Sequence, residues 1–421
     1  MENIPVEVVG NILHWLDSAR DVVVASATCR KWREAWRNHL HSLIFCSNDW
    51  PVYHEFTRSR LEIIITQTIF QTHGLRGLSV IMEDVGEFSA APVIAWLMYT
   101  RDTLRQLNYS VKTSPNINVL EICGREKLEV LALGHNVITG VEPTYRKFIA
   151  LRVLTLDCVS VSALDLSLLV AACPKIEVLN LMSLDIVMSD PQATMELSSR
   201  SLRDVYVEEL NLEKVVMEAD NLEKLHLKDC TLEDFELVGK GGKLRVLKID
   251  DVSVIHLDIG EAIKNLECVD VTNFTITWSK FLHMISKSKR LKKLRLWGVV
   301  LDDDDEEVIG LEAISSCFPR LSQLSLSYEL KESAIEYGLA GSFKLSNVLV
   351  LELGWTVISD LFSDWVGGLL EKCPCLKKLV IHGVVSETKG QLECQTLANF
   401  TSFIVRLMRK YIDVEVLFEY D

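Results

Sequence analysis

"LRVLTLDC", Leu151–Cys158, decides how most of this chain is read. Its leucines fall at the first, fourth and sixth positions. On a strand, residues two apart share a face, so Leu154 and Leu156 would enter one core while Thr155 faces away. The same spacing returns along the chain, with Ile or Val allowed for Leu. It reads "LRGLSV" from Leu75, "LRQLNY" from Leu104, "LEVLAL" from Leu128, "IEVLNL" from Ile176, "LRDVYV" from Leu202 and "LEKLHL" from Leu222. It continues as "LRVLKI" from Leu244, "LECVDV" from Leu266, "LKKLRL" from Leu291, "LSQLSL" from Leu321, "VLVLEL" from Val348 and "LKKLVI" from Leu376. About thirteen repeats recur every ~20–30 residues, a period that stacks strand after strand into a parallel sheet. One repeat alone cannot bury its apolar face, so each is stabilised by its neighbours.

The halves that return from strand to strand differ in length. Residues 163–173, 279–289, 306–317 and 363–373 carry apolar positions three and four apart, which predicts helices. The repeats from Leu202 to Leu266 are shorter and leave room for a turn or a short extended piece. The front of the chain reads differently. From Pro5 to Leu40, apolar residues recur at helical spacing in three short runs. Pro5 suits a helix start, and Asp21 suits a cap. The third run, around "CRKWREAW" (Cys29–Trp36), is expected to carry Ala25, Cys29, Trp32, Trp36 and Leu40 on one stripe, with its basic residues opposite. Trp36 is open between the core of that helical unit and a contact with the first repeats. "RLEIIITQTIFQT" (Arg60–Thr72) is apolar enough to cap the repeats.

Bulk properties narrow the function. With a net charge of −15, a duplex-wide phosphate-binding surface is not expected, so no nucleic-acid partner is. Apolar runs such as Val93–Met98 are too short to span a bilayer, and no signal peptide or membrane partner is expected. Eleven cysteines, scattered and odd in number, suit a reducing compartment. Sites with sharper chemistry fall away one by one. "VGKGGKL" (Val238–Leu244) lacks the order of a phosphate loop and reads as a turn. "LDDDDEEV" (Leu301–Val308) lacks the spacing of a calcium loop and reads as a solvated stretch before a helix. Cys373 and Cys375 have no second ligand pair near them and read as repeat core. His135, His226, His256, His283 and His382 accompany no nucleophile or paired carboxylate, so no catalytic residue, metal or cofactor is expected.

Two motifs carry a family resemblance. "CPKIEVLNL" (Cys173–Leu181) and "CPCLKKLVI" (Cys373–Ile381), with "CFPRLSQLSL" (Cys317–Leu326) as a variant, resemble the cysteine-containing leucine-rich repeats of plant-type F-box proteins. Ile4-Pro5-Val6-Glu7, Ile12-Leu13-His14-Trp15-Leu16, Asp21-Val22 and Cys29-Arg30-Lys31-Trp32 resemble an F-box. The resemblance implies an α/β protein with a small helical F-box at 1–45, a linker and N-terminal cap at 46–74, and a leucine-rich-repeat solenoid at 75–421, its parallel sheet on the concave face. It implies a non-catalytic substrate receptor of an SCF-type, cullin-based ubiquitin ligase, working in the cytoplasm or nucleus. Its partners would be a Skp-family adaptor and a protein substrate. Ile4, Pro5, Ile12, Leu13, Leu16, Val22, Cys29 and Trp32 would then face the adaptor or shape that face. A hormone co-receptor is an alternative that needs a pocket and long loops, and Met188–Arg200, the longest irregular stretch, is modest. A repeat scaffold uncoupled from any ligase is another.

Two columns of the repeat stand out. The second position reads Arg105, Glu129, Arg152, Glu177, Arg203, Glu223, Arg245, Glu267, Lys292, alternating in sign. Strands ~4.8 Å apart would place each charge between two opposite ones, a ladder that disfavours a one-repeat slip. The fifth position faces solvent. Its central members, Tyr206, His226, Lys248, Asp270 and Arg295, with Trp297 nearby, are the candidate substrate-binding residues.

Overall fold

A computed structural model describes the chain except residues 1–3, 17, 50, 125, 142–147, 188–193, 240–241, 302–307, 328–335, 385–390 and 421. The acidic stretch 302–307 and part of the 238–244 turn lie outside the described residues. The chain divides into two compact units, Met1–Ala219 and Asp220–Asp421.

The first unit opens with three helices: α1 (Val6–His14), α2 (Ala19–Ser26) and α3 (Arg30–His39). The carbonyl of Pro5 accepts from the Val8 and Val9 N–H groups, which starts α1 where Pro lacks a donor of its own. Gly10 lets α1 approach α3, because a Cβ there would lie 2.5 Å from His39 Cβ. Ser18, not Asp21, holds the N-cap position of α2, and Asp21 sits in its first turn. The expected stripe on the third helix needs correcting. Ala25 belongs to α2, and Cys29 is the extended N-cap residue of α3 and is exposed. Trp36 is buried, and its indole N–H has no hydrogen-bond partner among the described residues.

The sheet begins earlier than the repeat pattern does. Leu40 ends α3, and Ser42–Cys46 is already a strand, paired in parallel register with Gly77–Ile81. Helix α4 (Arg58–Gln71) and helix α5 (Ala90–Thr100) cover this end. They are tied by Trp96 Nε1 donating to Thr66 Oγ1 (2.7 Å) and by the Phe70–Tyr99 ring pair. Strands then recur at Gln106–Ser110, Val130–Gly134, Val153–Asp157, Val178–Met182 and Asp204–Glu208, each parallel to the last. Their fourth and sixth positions, such as Leu154, Leu156, Leu179 and Leu181, are fully buried. A side chain of this size gains ~1.5–3 kcal/mol when removed from water.

The second unit repeats the pattern at Lys224–Lys228, Val246–Asp258, Cys268–Ile276, Lys293–Trp297, Gln323–Ser327, Val350–Val357 and Lys378–Val384. A last strand, Glu415–Tyr420, closes the row behind the twenty-residue helix Gln391–Lys410. Helical returns form at Ala163–Ala171 in the first unit, and at Trp278–Ile285, Leu311–Cys317 and Asp360–Lys372 in the second. Where the repeats are short, the return is itself a strand. Thr194–Ser198 pairs with Asn211–Glu218 in the first unit, and Thr231–Val238 with the end of Val246–Asp258 in the second. Part of the stretch read as irregular, Thr194–Ser198, is therefore ordered sheet.

In the repeats from Leu128 to Leu291 each strand leaves the sheet through one conformation. Their eighth position is left-handed: His135, Cys158, Ser183 and Glu209 in the first unit, Asp229, Asp251, Asn273 and Gly298 in the second, with φ between 48° and 55°. Its N–H donates to the seventh-position carbonyl of the next repeat, as from Cys158 to Met182 (3.0 Å) and from Asp229 to Asp250 (2.9 Å). The chain thus turns outward without giving up its place in the ladder.

Candidate functional site

Two faces gather the candidate residues, one in each unit. On the helical front of the first unit, Val9 and Leu13 of α1 point inward with Val22 of α2. Of the eight residues expected to meet or shape an adaptor face, Leu13 and Val22 are therefore its buried floor. Pro5, Ile12 and Cys29 are exposed, and Ile4, Leu16 and Trp32 are half-buried. Ile12 is 42% exposed, and the surface also holds residues the sequence reading passed over: Val8 is 43% exposed, Trp15 83%, and Val24 of α2 59%. Pro5, Val8, Ile12 and Trp15 are spaced three and four apart and form one apolar stripe on the side of α1 away from its core. The signal was in the sequence: α1 has apolar residues on both faces, and a nine-residue helix in a small unit cannot bury both.

On the second unit, the fifth-position column lies in register across the sheet: His226, Lys248, Asp270, Arg295, Ser325, Glu352. Arg295 is its hub. Its guanidinium stands 3.6 Å from Asp270 Oδ2 and 3.3 Å from Glu352 Oε2, and lies over the Trp297 ring at 4.4 Å. Ser325 Oγ donates to Glu352 Oε2 at 2.7 Å. His382 follows, 3.4 Å from Glu352 Oε1 and 3.0 Å from Glu419 Oε2, with its ring edge-on to Trp297. Burial works to raise the Glu352 carboxyl, but the Ser325 hydrogen bond and Arg295 outweigh it and hold it below the usual value. Burial, then Lys248, pushes the His226 imidazole down. Gly354 makes the platform flat, because a Cβ there would collide with the Trp297 ring.

Asp270, Arg295 and Trp297 are thus brought together, with His226 and Lys248 further along the same row. Tyr206 stands in the first unit, half-buried, its hydroxyl donating to Glu208 (2.7 Å). Glu352 was in the fifth-position column but was not singled out, and His382, Glu419 and Gly354 were missed. The period of two explains how they could have been found: the seventh position faces the same side as the fifth, and Trp297, Gly354 and His382 all occupy it. The platform offers planar, charged and aromatic groups for recognition, and its Ser325 hydroxyl is buried and committed to Glu352. Buried Cys173 and Cys373 have thiols pushed up to about 12 by burial, which keeps them protonated core residues. Among the described residues no group of three or more His, Cys, Asp or Glu side chains has the arrangement of a metal site.

Comparison with known proteins matches both parts. A family model described as F-box-like covers residues 1–47. Another, described as FBD-associated F-box protein At5g56370, LRR repeats, covers residues 102–272. The F-box/LRR-repeat protein At1g67190 of Arabidopsis thaliana is 62% identical over 421 residues, which is 100% of both chains.

Proposed function

Because the chain belongs to the F-box/leucine-rich-repeat family, we propose that it is the substrate-recognition subunit of an SCF-type, cullin-based ubiquitin ligase. In this reading the helical front binds a Skp-family adaptor, and the repeats hold a protein substrate. The chain itself supplies no chemistry. It works in the cytoplasm or nucleus, where its eleven free thiols stay reduced.

The supporting observation is the Pro5, Val8, Ile12, Trp15 stripe. A small unit that leaves four apolar residues in a row on its surface, one of them a tryptophan, has kept them for a partner. The Arg295 platform is the matching candidate on the repeats, where Arg and Trp are the residue types that dominate binding energy.

The test is co-purification of the full chain with a Skp-family adaptor. Wild type should be captured, and Ile12→Asp with Trp15→Ala should reduce capture more than tenfold while changing the melting temperature little, since Trp15 is 83% exposed and Ile12 lies on the outer face of α1. Failure of the wild type to bind would favour a repeat scaffold with no ligase coupling.

A further inference from the structure

In the second unit, the strand-type returns give way to a helical one, and the change leaves a strand edge open. Val246–Asp258 pairs through Val252 with Phe274 of the next repeat. Beyond that point the next strand turns elsewhere, with Thr275 and Ile276 pairing with Val300 and Leu301. From Ser253 to Asp258 the segment is hydrogen-bonded to Thr231–Val238 on one side and to no strand on the other, among the described residues. The next return is the helix Trp278–Ile285. Between edge and helix lies a cleft of about 620 Å³.

All six consecutive residues from Ser253 to Asp258 line this cleft. A strand's face would contribute every second residue. A continuous run is what its edge contributes, with main-chain N–H and C=O groups directed sideways. Exposed edges are ordinarily blunted by Pro, Lys or a bulge. This one reads Ser-Val-Ile-His-Leu-Asp, and Ile255 is 69% exposed. The opposite wall is basic at its rim. Lys280 and His283 come from the helical return and Lys287 from just past its end, above an apolar lining of Phe281 and Met284. Neither lysine stands within ion-pair distance of a described carboxylate; Glu261 is paired directly with Lys264, which holds its carboxyl down with some help from Lys287. In a chain of net charge −15, this is a local inversion of sign.

We propose that the edge Ser253–Asp258 captures an extended acidic peptide, which adds as a strand while its carboxylates meet Lys280, His283 and Lys287. Six residues of strand span ~20 Å, enough for main-chain pairing to supply affinity and for alternate side chains to supply selectivity. The inference is independent of adaptor binding and of the ligase reading.

The test uses the full chain and two labelled octapeptides, one alternating Val with Glu and one alternating Val with Lys. The Glu peptide should bind and the Lys peptide should not. Of two Glu peptides N-methylated on opposite sets of alternate backbone nitrogens, one should lose binding and the other keep it, since a strand pairs along one edge only. Lys280→Glu with Lys287→Glu should weaken the Glu peptide at least tenfold and admit the Lys peptide. Hydrogen exchange should slow at Ser253–Asp258 when peptide is added. The proposal is overturned by no binding of the Glu peptide, by equal binding of both N-methylated forms, or by indifference to charge reversal. Displacement of the peptide by decanoate would make the cleft a small-amphiphile site. Protection of the edge that grows with protein concentration alone would make it a contact between copies. Either result overturns the proposal as well.

Discussion

At the scale of single residues, the repeats from Leu128 to Leu291 ask for something their leucines do not reveal: a left-handed backbone at the eighth position. Glu209, Cys158 and Asp251 accept it although L side chains there cost ~1–2 kcal/mol. Asp251→Gly should therefore raise stability by up to about 1 kcal/mol, and Asp251→Val should lower it by about 1–2, read as shifts of the urea midpoint. Equal effects of the two substitutions would contradict the conformational account. His226 allows a second check. Its imidazole is pushed down by burial and by Lys248, so the folded chain binds that proton less readily than the unfolded chain. Its contribution is present above the ordinary value of 6.5 and is lost as pH falls below it. The melting temperature of His226→Gln should accordingly fall less than that of wild type between pH 7.5 and 5.5. A parallel fall in both would show that the site does not titrate with folding. The Arg295 cluster shows why its composition was only half legible. Column five is read by counting along one repeat. The partners Glu352, His382 and Glu419 come from later repeats, and only the pairing register brings them within reach of Arg295 or of one another.

At the scale of elements, the periodic part of the sequence carried the fold. All thirteen hexamers became strands that begin two residues after their first apolar anchor, because two buried positions per strand leave one register satisfactory. The ends were less legible. Leu40, Leu43 and Phe45 obey the same spacing with Phe in the last place, and the final strand, Glu415–Tyr420, has no aliphatic residue at its first anchor. The third helix was misread for another reason: its aromatic periodicity runs back smoothly into α2, and nothing apolar marks the break at Cys29. Among the described residues the charge ladder forms only in part: two separate pairs in the first unit and one run of three charges in the second. Arg105 meets Glu129 at 3.0 Å and Arg152 meets Glu177 at 3.2 Å, while Glu267 is held between Arg245 (3.0 Å) and Lys292 (2.8 Å). Hydrogen bonds from Lys292 and then Arg245 keep the Glu267 carboxyl below its usual value. Glu267→Lys, which sets three cations side by side, should cost about 1 kcal/mol at low salt and much less at 1 M salt, where screening shortens to ~3 Å. A loss that salt leaves unchanged would point to packing instead of charge.

At the scale of the molecule, the arrangement of the first unit bears on how a ligase subunit would present its cargo. Among the described residues no loose linker separates the helical front from the first strand. Leu40 closes α3 and anchors the first strand, two residues later the chain is in the sheet, and the His41 carbonyl accepts from both Arg76 (2.7 Å) and Gly77 (2.9 Å). A second tie runs from the His73 N–H to the Arg37 carbonyl at 2.8 Å, so the end of α3 is held by the chain that follows α4. Rigid coupling of this kind fixes how the helical front sits on the first strands, whereas a linker of Gly and Ser would let that placement vary. Inserting Gly-Ser-Gly-Ser between His41 and Ser42 should leave Pro5, Val8, Ile12 and Trp15 untouched, and adaptor capture should persist. It should remove the joint's fixed geometry: the insert becomes a site of rapid proteolytic nicking where the wild type resists. In a reconstituted ligase, ubiquitin placed on the chain's own lysines should spread from a narrow set to a broad one. If the inserted chain resists nicking and keeps the narrow pattern, the strand pairing at Ser42–Cys46 is not what holds the two parts together.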